Sequence, residues 1–323
     1  MEYRPLGGSG LKVPVLSFGT ATFGGGSEFY RAWGSTDVAE AKRLVDLCLE
    51  AGLTFFDTAN SYSTGRAEEI LGAAIAGRRA ELLLATKATF PLGDGPNELG
   101  SSRHFLRRAC EDSLRRLGTD HIDLYYMHTF DTTTPVDETL RTLEDLVRNG
   151  KITYIGCSNF AGWRLADASW TASAGGLIPF VSVQNEYSLL IREIEAEVVP
   201  ACERFGVGIL PYFPLAHGLL SGKYRRGERP AAGTRLAKRL EVYDHADWDT
   251  IDALAAYAAE RGRTLLDVAI GGLAAQPCVA SVIAGATTPE QVHANVAAGS
   301  WEPTPADLAA LDEIVPPRHL ERG

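Results

Sequence analysis

Short, continuously apolar runs recur eight times in the 323-residue chain, at 15–18, 53–57, 82–86, 122–128, 152–157, 181–185, 207–212 and 279–284. They do not alternate apolar with polar residues, so each reads as a strand buried on both faces of a parallel sheet. Amphipathic stretches fill the intervals. Over 38–50, Ala41, Leu44, Val45, Cys48 and Leu49 share one helical face, with Asp37 placed to cap the start and Gly52 to end it. Over 103–117, Leu106, Ala109, Cys110, Ser113, Leu114 and Leu117 do the same. Further helices are expected over 67–76, 136–148, 161–173, 195–205, 248–261, 264–275, 289–298 and 305–314. This alternation predicts an α/β fold, a (β/α)8 TIM barrel that takes 1–323 as one domain. A short N-terminal hairpin over 6–13, turning at Gly7-Gly8-Ser9-Gly10, and extra C-terminal helices complete it.

Charge and composition remove several function classes. Forty-one acids against 31 bases leave a net charge of −10, which repels a nucleic acid backbone. There is no run of about 18 apolar residues, so no membrane span is expected. Met1-Glu2-Tyr3-Arg4-Pro5 has none of the character of a secretory leader, which leaves the cytoplasm as the expected location. The five cysteines, at 48, 110, 157, 202 and 278, form no CxxC and suit reduced thiols. Gly24-Gly25-Gly26 lacks the following Lys-Ser or Lys-Thr of a phosphate-binding P-loop. No His-x-His stands at a strand end, which disfavours a metal-dependent barrel hydrolase or aldolase.

In a barrel of this kind the site lies at the C-terminal strand ends and the loops that follow. Asp57, Lys87 and His128 end the second, third and fourth strands, and Tyr62 follows the second closely. A lysine beside a tyrosine favours the phenolate, and a carboxylate keeps that lysine charged and placed. The tyrosine then becomes a proton donor tuned towards neutral pH. A nearby histidine can bond a substrate oxygen. The set suits protonation of a carbonyl oxygen as hydride reaches its carbon. Phe23, Phe29, Tyr30, Trp33, Phe90 and Phe130 either line an apolar pocket above the site or pack the loops. Thr20 and Thr22 are near enough to the first strand end to touch it. The segment 218–246 reads as a long βα loop, of the kind that carries function.

The segment Phe55-Phe56-Asp57-Thr58-Ala59-Asn60-Ser61-Tyr62, continuing to Gly65, Glu68-Glu69 and Leu71-Gly72, resembles the signature of the aldo-keto reductase superfamily, as in its bacterial NADP(H)-dependent members. Leu84-Ala85-Thr86-Lys87, Ser113-Leu114-Arg115-Arg116-Leu117 and Ile122-Asp123-Leu124-Tyr125-Tyr126-Met127-His128 are similar to further motifs of that family. So are Ile155-Gly156-Cys157-Ser158-Asn159-Phe160, Val183-Gln184 and Pro214-Leu215-Ala216-His217-Gly218-Leu219-Leu220-Ser221-Gly222-Lys223, and the resemblance covers about residues 3–315. It implies a barrel enzyme that reduces aldehydes and ketones with a nicotinamide cofactor, NADP(H) or alternatively NAD(H), without a metal. Tyr62 would be the general acid, Lys87 and Asp57 would tune it, and His128 would orient the carbonyl.

The cofactor residues implied by the resemblance follow the same strand ends. Ser158, Asn159 and Gln184 would bond the nicotinamide carboxamide, and Tyr212 would stack on the ring. Gly19 and Thr20 would border it. Phe213, Pro214, Leu215 and Gly218 would surround the pyrophosphate, with Lys223 and Arg235 supplying charge. A solvated basic stretch with Arg225, Arg226 and Arg229 is the other reading of those two residues. Gly285, Thr287, Gln291 and Asn295 would meet the adenosine end, near a helix N-terminus opened by Pro289. Many members of the family carry Lys and Arg where this chain has Gly285 and Gln291, which bears on NADP(H) against NAD(H). The expected partner is a small carbonyl or sugar. Alternatives are oxidation of a sugar, polyol or glycoside hydroxyl, and a non-enzymatic cofactor-bound redox sensor.

Overall fold

The computed structural model describes residues 1–26, 31 and 34–318; Phe29, Tyr30 and Trp33 lie outside them. Strands β1 (Tyr3–Pro5) and β2 (Lys12–Pro14) form the antiparallel hairpin. The parallel strands are β3 (Leu16–Gly19), β4 (Phe55–Asp57), β5 (Leu83–Ala88), β6 (Ile122–Met127), β7 (Ile152–Ser158), β8 (Ser182–Gln184), β9 (Gly208–Ile209) and β10 (Val282–Ala284). Their order is β10-β3-β4-β5-β6-β7-β8-β9. The ends of this row meet: Ile209 N donates to Cys278 O at 2.7 Å and Ala280 N to Ile209 O at 2.9 Å. The sheet thereby curls into the expected (β/α)8 barrel.

The α-helices among the described residues are α1 (Val38–Glu50), α2 (Arg66–Ala74), α3 (Arg103–Leu117), α4 (Val136–Arg148), α5 (Gly162–Gly175), α6 (Val198–Phe205), α7 (Leu240–Asp244), α8 (Trp248–Glu260), α9 (Leu265–Ala274), α10 (Pro289–Ala298) and α11 (Pro305–Ile314). Asp37 caps α1 in a reciprocal box: Glu40 N donates to its carboxylate at 2.9 Å, and Asp37 N donates back to Glu40 at 3.1 Å. Several elements are shorter than their pattern: β4, β8 and β10 lose residues of the runs at 53–57, 181–185 and 279–284, and two others are shortened for a visible reason. The apolar run at 207–212 pairs as a strand only over Gly208–Ile209, because Pro211 has no N–H for a ladder. The helix expected from 195 begins at Val198, since Glu195 is engaged by Arg192 Nε and Tyr187 Oη, both at 2.6 Å.

Two cores follow from the alternation of side chains along each strand. Outward residues such as Phe18, Phe56 and Tyr125 meet the apolar faces of the helices. Inward residues, including Phe55, Ala85, Leu124 and Tyr126, fill the barrel itself. Fully buried Leu6 and Val13 join this inner cluster, so the hairpin plugs the N-terminal end. Gly7 makes the plug possible: its φ is +54°, and a Cβ there would lie 2.5 Å from the carbonyl oxygens of Gly206 and Val181. Gly7→Ala is expected to lower unfolding free energy by about 2–4 kcal/mol. Urea unfolding measures this, and an unchanged midpoint would refute the plug. The cysteines are free, and burial pushes the thiols of Cys48 and Cys110 up to about 12. No helix among the described residues is long and apolar enough to cross a membrane.

Candidate active site

Strand register brings the inward positions level with one another. Asp57 pairs with Ala85, Lys87 with Tyr126 and Ser158 with Gln184. Phe55, Ala85 and Tyr126 belong to the apolar interior. Two residues further along, Asp57, Lys87 and His128 take the next inward positions and end the apolar layer in polar groups. Lys87 is fully buried and Asp57 is 1% exposed. Lys87 Nζ donates to Asp57 Oδ1 at 2.5 Å, to Thr58 O at 2.8 Å and to Tyr62 Oη at 3.3 Å. Gln184 Nε2 donates to the other Asp57 oxygen at 3.0 Å. Burial opposes the Lys87 charge, but the Asp57 carboxylate and the Tyr62 oxygen outweigh it and raise the lysine's pKa. The ammonium is therefore kept.

Tyr62 reaches Lys87 from a tight turn, Tyr62–Gly65. Ser63 and Thr64 within it have φ of 48° and 57°. Left-handed backbone costs about 1–2 kcal/mol for such residues, so the surroundings must hold the turn. One support is Ser63 Oγ, which donates to Phe23 O at 2.9 Å. Thr20 secures the neighbouring strand end, with its N and Oγ1 donating to Asp57 O at 2.9 and 3.1 Å. His128 lies edge-on to Tyr62 at 5.9 Å between ring centroids, and Phe90 lies 4.3 Å from the imidazole. Burial, with the Lys87 charge adding to it, holds the His128 pKa well below its usual value, so the ring is neutral at neutral pH. Its Nδ1 is buried and meets no hydrogen-bond partner among the described residues.

The adjoining strand ends carry a bonded amide network. Asn159, at φ 59°, donates from Nδ2 to His128 O at 2.9 Å and to Ser158 Oγ at 3.2 Å. Its Oδ1 accepts from Tyr212 Oη at 2.7 Å, which ties the end of β7 to the aromatic that follows β9. Tyr212 and Phe213 stand edge to face at 5.0 Å, and Phe213 lies over His217 at 4.6 Å. Pro214 and Leu215 then lead into a turn, Ala216–Ser221, in which Gly218 has φ +103°. A Cβ at Gly218 would lie 4.0 Å from Lys223 Nζ.

The basic residues of the long loop divide into two groups. Arg226 turns away to Asp249 and Asp252. Arg235 is half-buried beside Arg239, and Arg239 lies 3.4 Å from His217 Nδ1. Burial, then Arg239 and Arg235, push the His217 pKa down to about 4. Across the barrel mouth, Gly19 and Gly285 approach until a Cβ on Gly285 would lie 3.1 Å from Gly19 O. Asn295 Nδ2 donates to Gly285 O at 3.4 Å, and Gln291 Oε1 accepts from Thr287 N at 2.8 Å.

Several of these relationships have no local signal in the chain. The Gln184–Asp57 bond joins residues 127 apart, and neither Arg239 nor the His217 side chain stood out by spacing. Among the aromatics considered for a pocket, Phe23 is fully buried in the outer core against Phe18 at 6.0 Å, not at the mouth. Phe130 packs on Phe160 at 5.3 Å, with Arg164 3.6 Å above its ring. No cluster of three metal-ligating side chains occurs among the described residues.

Comparison with known proteins agrees with the fold. The Aldo/keto reductase family pattern matches residues 15–316. An uncharacterized oxidoreductase of Bacillus subtilis is 39% identical, over 98% of this chain and 96% of its own. A probable voltage-gated potassium channel subunit beta of Oryza sativa is 37% identical, over 98% and 97%. L-glyceraldehyde 3-phosphate reductase of Escherichia coli is 31% identical, over 98% and 92%. A barrel with a buried acid–lysine pair at its mouth, matched along almost its whole length, belongs to the aldo/keto reductase family, and its chemistry is that of an oxidoreductase.

Proposed function

We propose that the protein reduces aldehydes and ketones with NADPH and that Tyr62 is the general acid. The observation that carries this reading is the Lys87 ammonium, held at once by Asp57 and 3.3 Å from Tyr62 Oη. That charge favours the phenolate left when the phenol gives up its proton. Neutral His128 directs the substrate oxygen towards Tyr62 by a hydrogen bond. Burial of Asp57 and Lys87 keeps water from the pair and strengthens their hold on each other.

The residues fit a nicotinamide dinucleotide. Both Asn159 amide protons and one Gln184 amide proton are committed within the protein. Ser158 and the remaining lone pairs of these amides are what the strand ends offer a carboxamide. Tyr212, fixed by Asn159, supplies a flat face. Lys223, Arg235 and Arg239 gather positive charge in the loop facing the pyrophosphate, which both dinucleotides carry; the added negative charge of the NADP(H) 2′-phosphate is drawn to the same field, so NADP(H) is favoured although Gly285 and Gln291 add no charge of their own. When bound, the nicotinamide supplies the hydride.

The test uses purified protein, an aromatic aldehyde, and NADPH or NADH, followed by the near-ultraviolet absorbance of the reduced nicotinamide. NADPH is expected to give kcat/KM ~10–100-fold above NADH, the worth of one or two charge-assisted hydrogen bonds. Equal rates would refute the NADP(H) preference. Absence of turnover with both, despite cofactor binding by fluorescence quenching, would refute the reductase reading.

A further inference from the structure

Two of the sequence segments that point to the family, around Glu68 and Arg116, carry no group that reaches the barrel mouth. The structure gives them a joint task. Glu68 lies in the first turn of α2, directly after the Tyr62 turn, and is fully buried. Its Oε1 accepts from Thr86 Oγ1 at 2.6 Å, and its Oε2 accepts from Arg116 Nε at 2.6 Å. Thr86 is the neighbour of Lys87 on β5, so alternation turns Lys87 to the axis and Thr86 to the helices. Arg116 also donates to Ser113 Oγ at 3.3 Å. Its side chain crosses Gly65, the last residue of the Tyr62 turn, so closely that a Cβ there would meet Arg116 Cδ at 2.9 Å.

We infer that Arg116, Glu68 and Thr86 are positioning residues that clamp the Tyr62 turn to the Lys87 strand and so set the Tyr62–Lys87 separation. This rests on the reading of Tyr62 as the acid. One end of the clamp is the backbone of a strained turn, the other is the strand that presents the ammonium. A guanidinium and a carboxylate suit this, because their bonds are directional and their burial makes loss of either partner costly. The clamp touches neither substrate nor cofactor.

The test compares Arg116→Ala, Thr86→Val and Thr86→Ser. Arg116→Ala is expected to lower kcat ~10–100-fold, as small misplacements of reacting groups do. Thr86→Val removes one hydroxyl, leaves the ion pair in place and keeps the assay open if Arg116→Ala fails to fold; its kcat is expected to fall about fivefold. Thr86→Ser restores the hydroxyl and the rate. KM and cofactor affinity stay unchanged in all three, while in the first two the alkaline limb of kcat moves to higher pH as Tyr62 loses the nearby ammonium. Tyrosinate absorbance of the cofactor-free protein, referenced to Tyr62→Phe, reports the same shift without turnover. It therefore decides the clamp even if the reductase reading itself fails. Variants that lose only unfolding midpoint, with kcat and the Tyr62 titration unmoved, would overturn the inference.

Discussion

Tyr62→Phe is expected to lower kcat for aldehyde reduction by ~10²–10⁴-fold, the usual contribution of a positioned general acid. The substitution removes one oxygen from a ring otherwise held by its turn and by the edge of His128. Cofactor affinity should therefore be unchanged by fluorescence quenching, and the fall should appear in kcat more than in KM. The reason is differential: the phenol's proton moves only as negative charge develops on the substrate oxygen, so its loss weakens the transition state more than the ground state. The pH profile gives the sign. Reduction needs the protonated phenol, so wild-type kcat should decline as pH rises through the Tyr62 titration, and that limb should vanish in Tyr62→Phe. A variant with near wild-type kcat and an intact alkaline limb would remove Tyr62 from the reaction.

Lys87→Met is the second large effect, and it strikes stability as well as rate. Asp57 is 1% exposed, and without Lys87 its carboxylate would keep, among the described residues, the Gln184 amide as its one charge-stabilising donor. Breaking a buried pair from one side costs about 3–5 kcal/mol. Urea unfolding should show that loss, and kcat should fall together with it because the phenolate loses its counter-charge. Replacing both partners, with Asp57→Leu beside Lys87→Met, should recover much of the stability without recovering activity. Such a split separates the pair's structural cost from its chemical use. A Lys87→Met protein as stable as the wild type would mean that the buried carboxylate is compensated elsewhere.

The strands and helices were legible because their signals are local. The bounds of α1, α3, α4, α10 and α11 coincide with the amphipathic spans at 38–50, 103–117, 136–148, 289–298 and 305–314, since a period near 3.6 and a capping residue act within one helix. At two of the places where local pattern and structure part, a single residue explains the difference. Pro211 shortens β9, and Glu195, taken by Arg192 and Tyr187, delays α6. For Phe23 the chain left open a place at the mouth or packing in the loops; the structure packs it in the outer core against Phe18, a contact that its own neighbours in the chain do not specify.

The site was legible to the same depth. Asp57, Lys87 and His128 stand two residues beyond Phe55, Ala85 and Tyr126, so period-two alternation alone sends them to the barrel axis once the strands are known. The sequence by itself determined which chemical groups stand at the strand ends and in what order. Only the tertiary structure decided which of them touch. The Lys87–Asp57 contact spans 30 residues, Arg116–Glu68 spans 48 and Gln184–Asp57 spans 127. The left-handed backbone of Ser63 and Thr64 is likewise no preference of serine or threonine. Such contacts depend on closure of the sheet and on burial, which turn distant residues into neighbours and exclude the water that would otherwise satisfy each group separately.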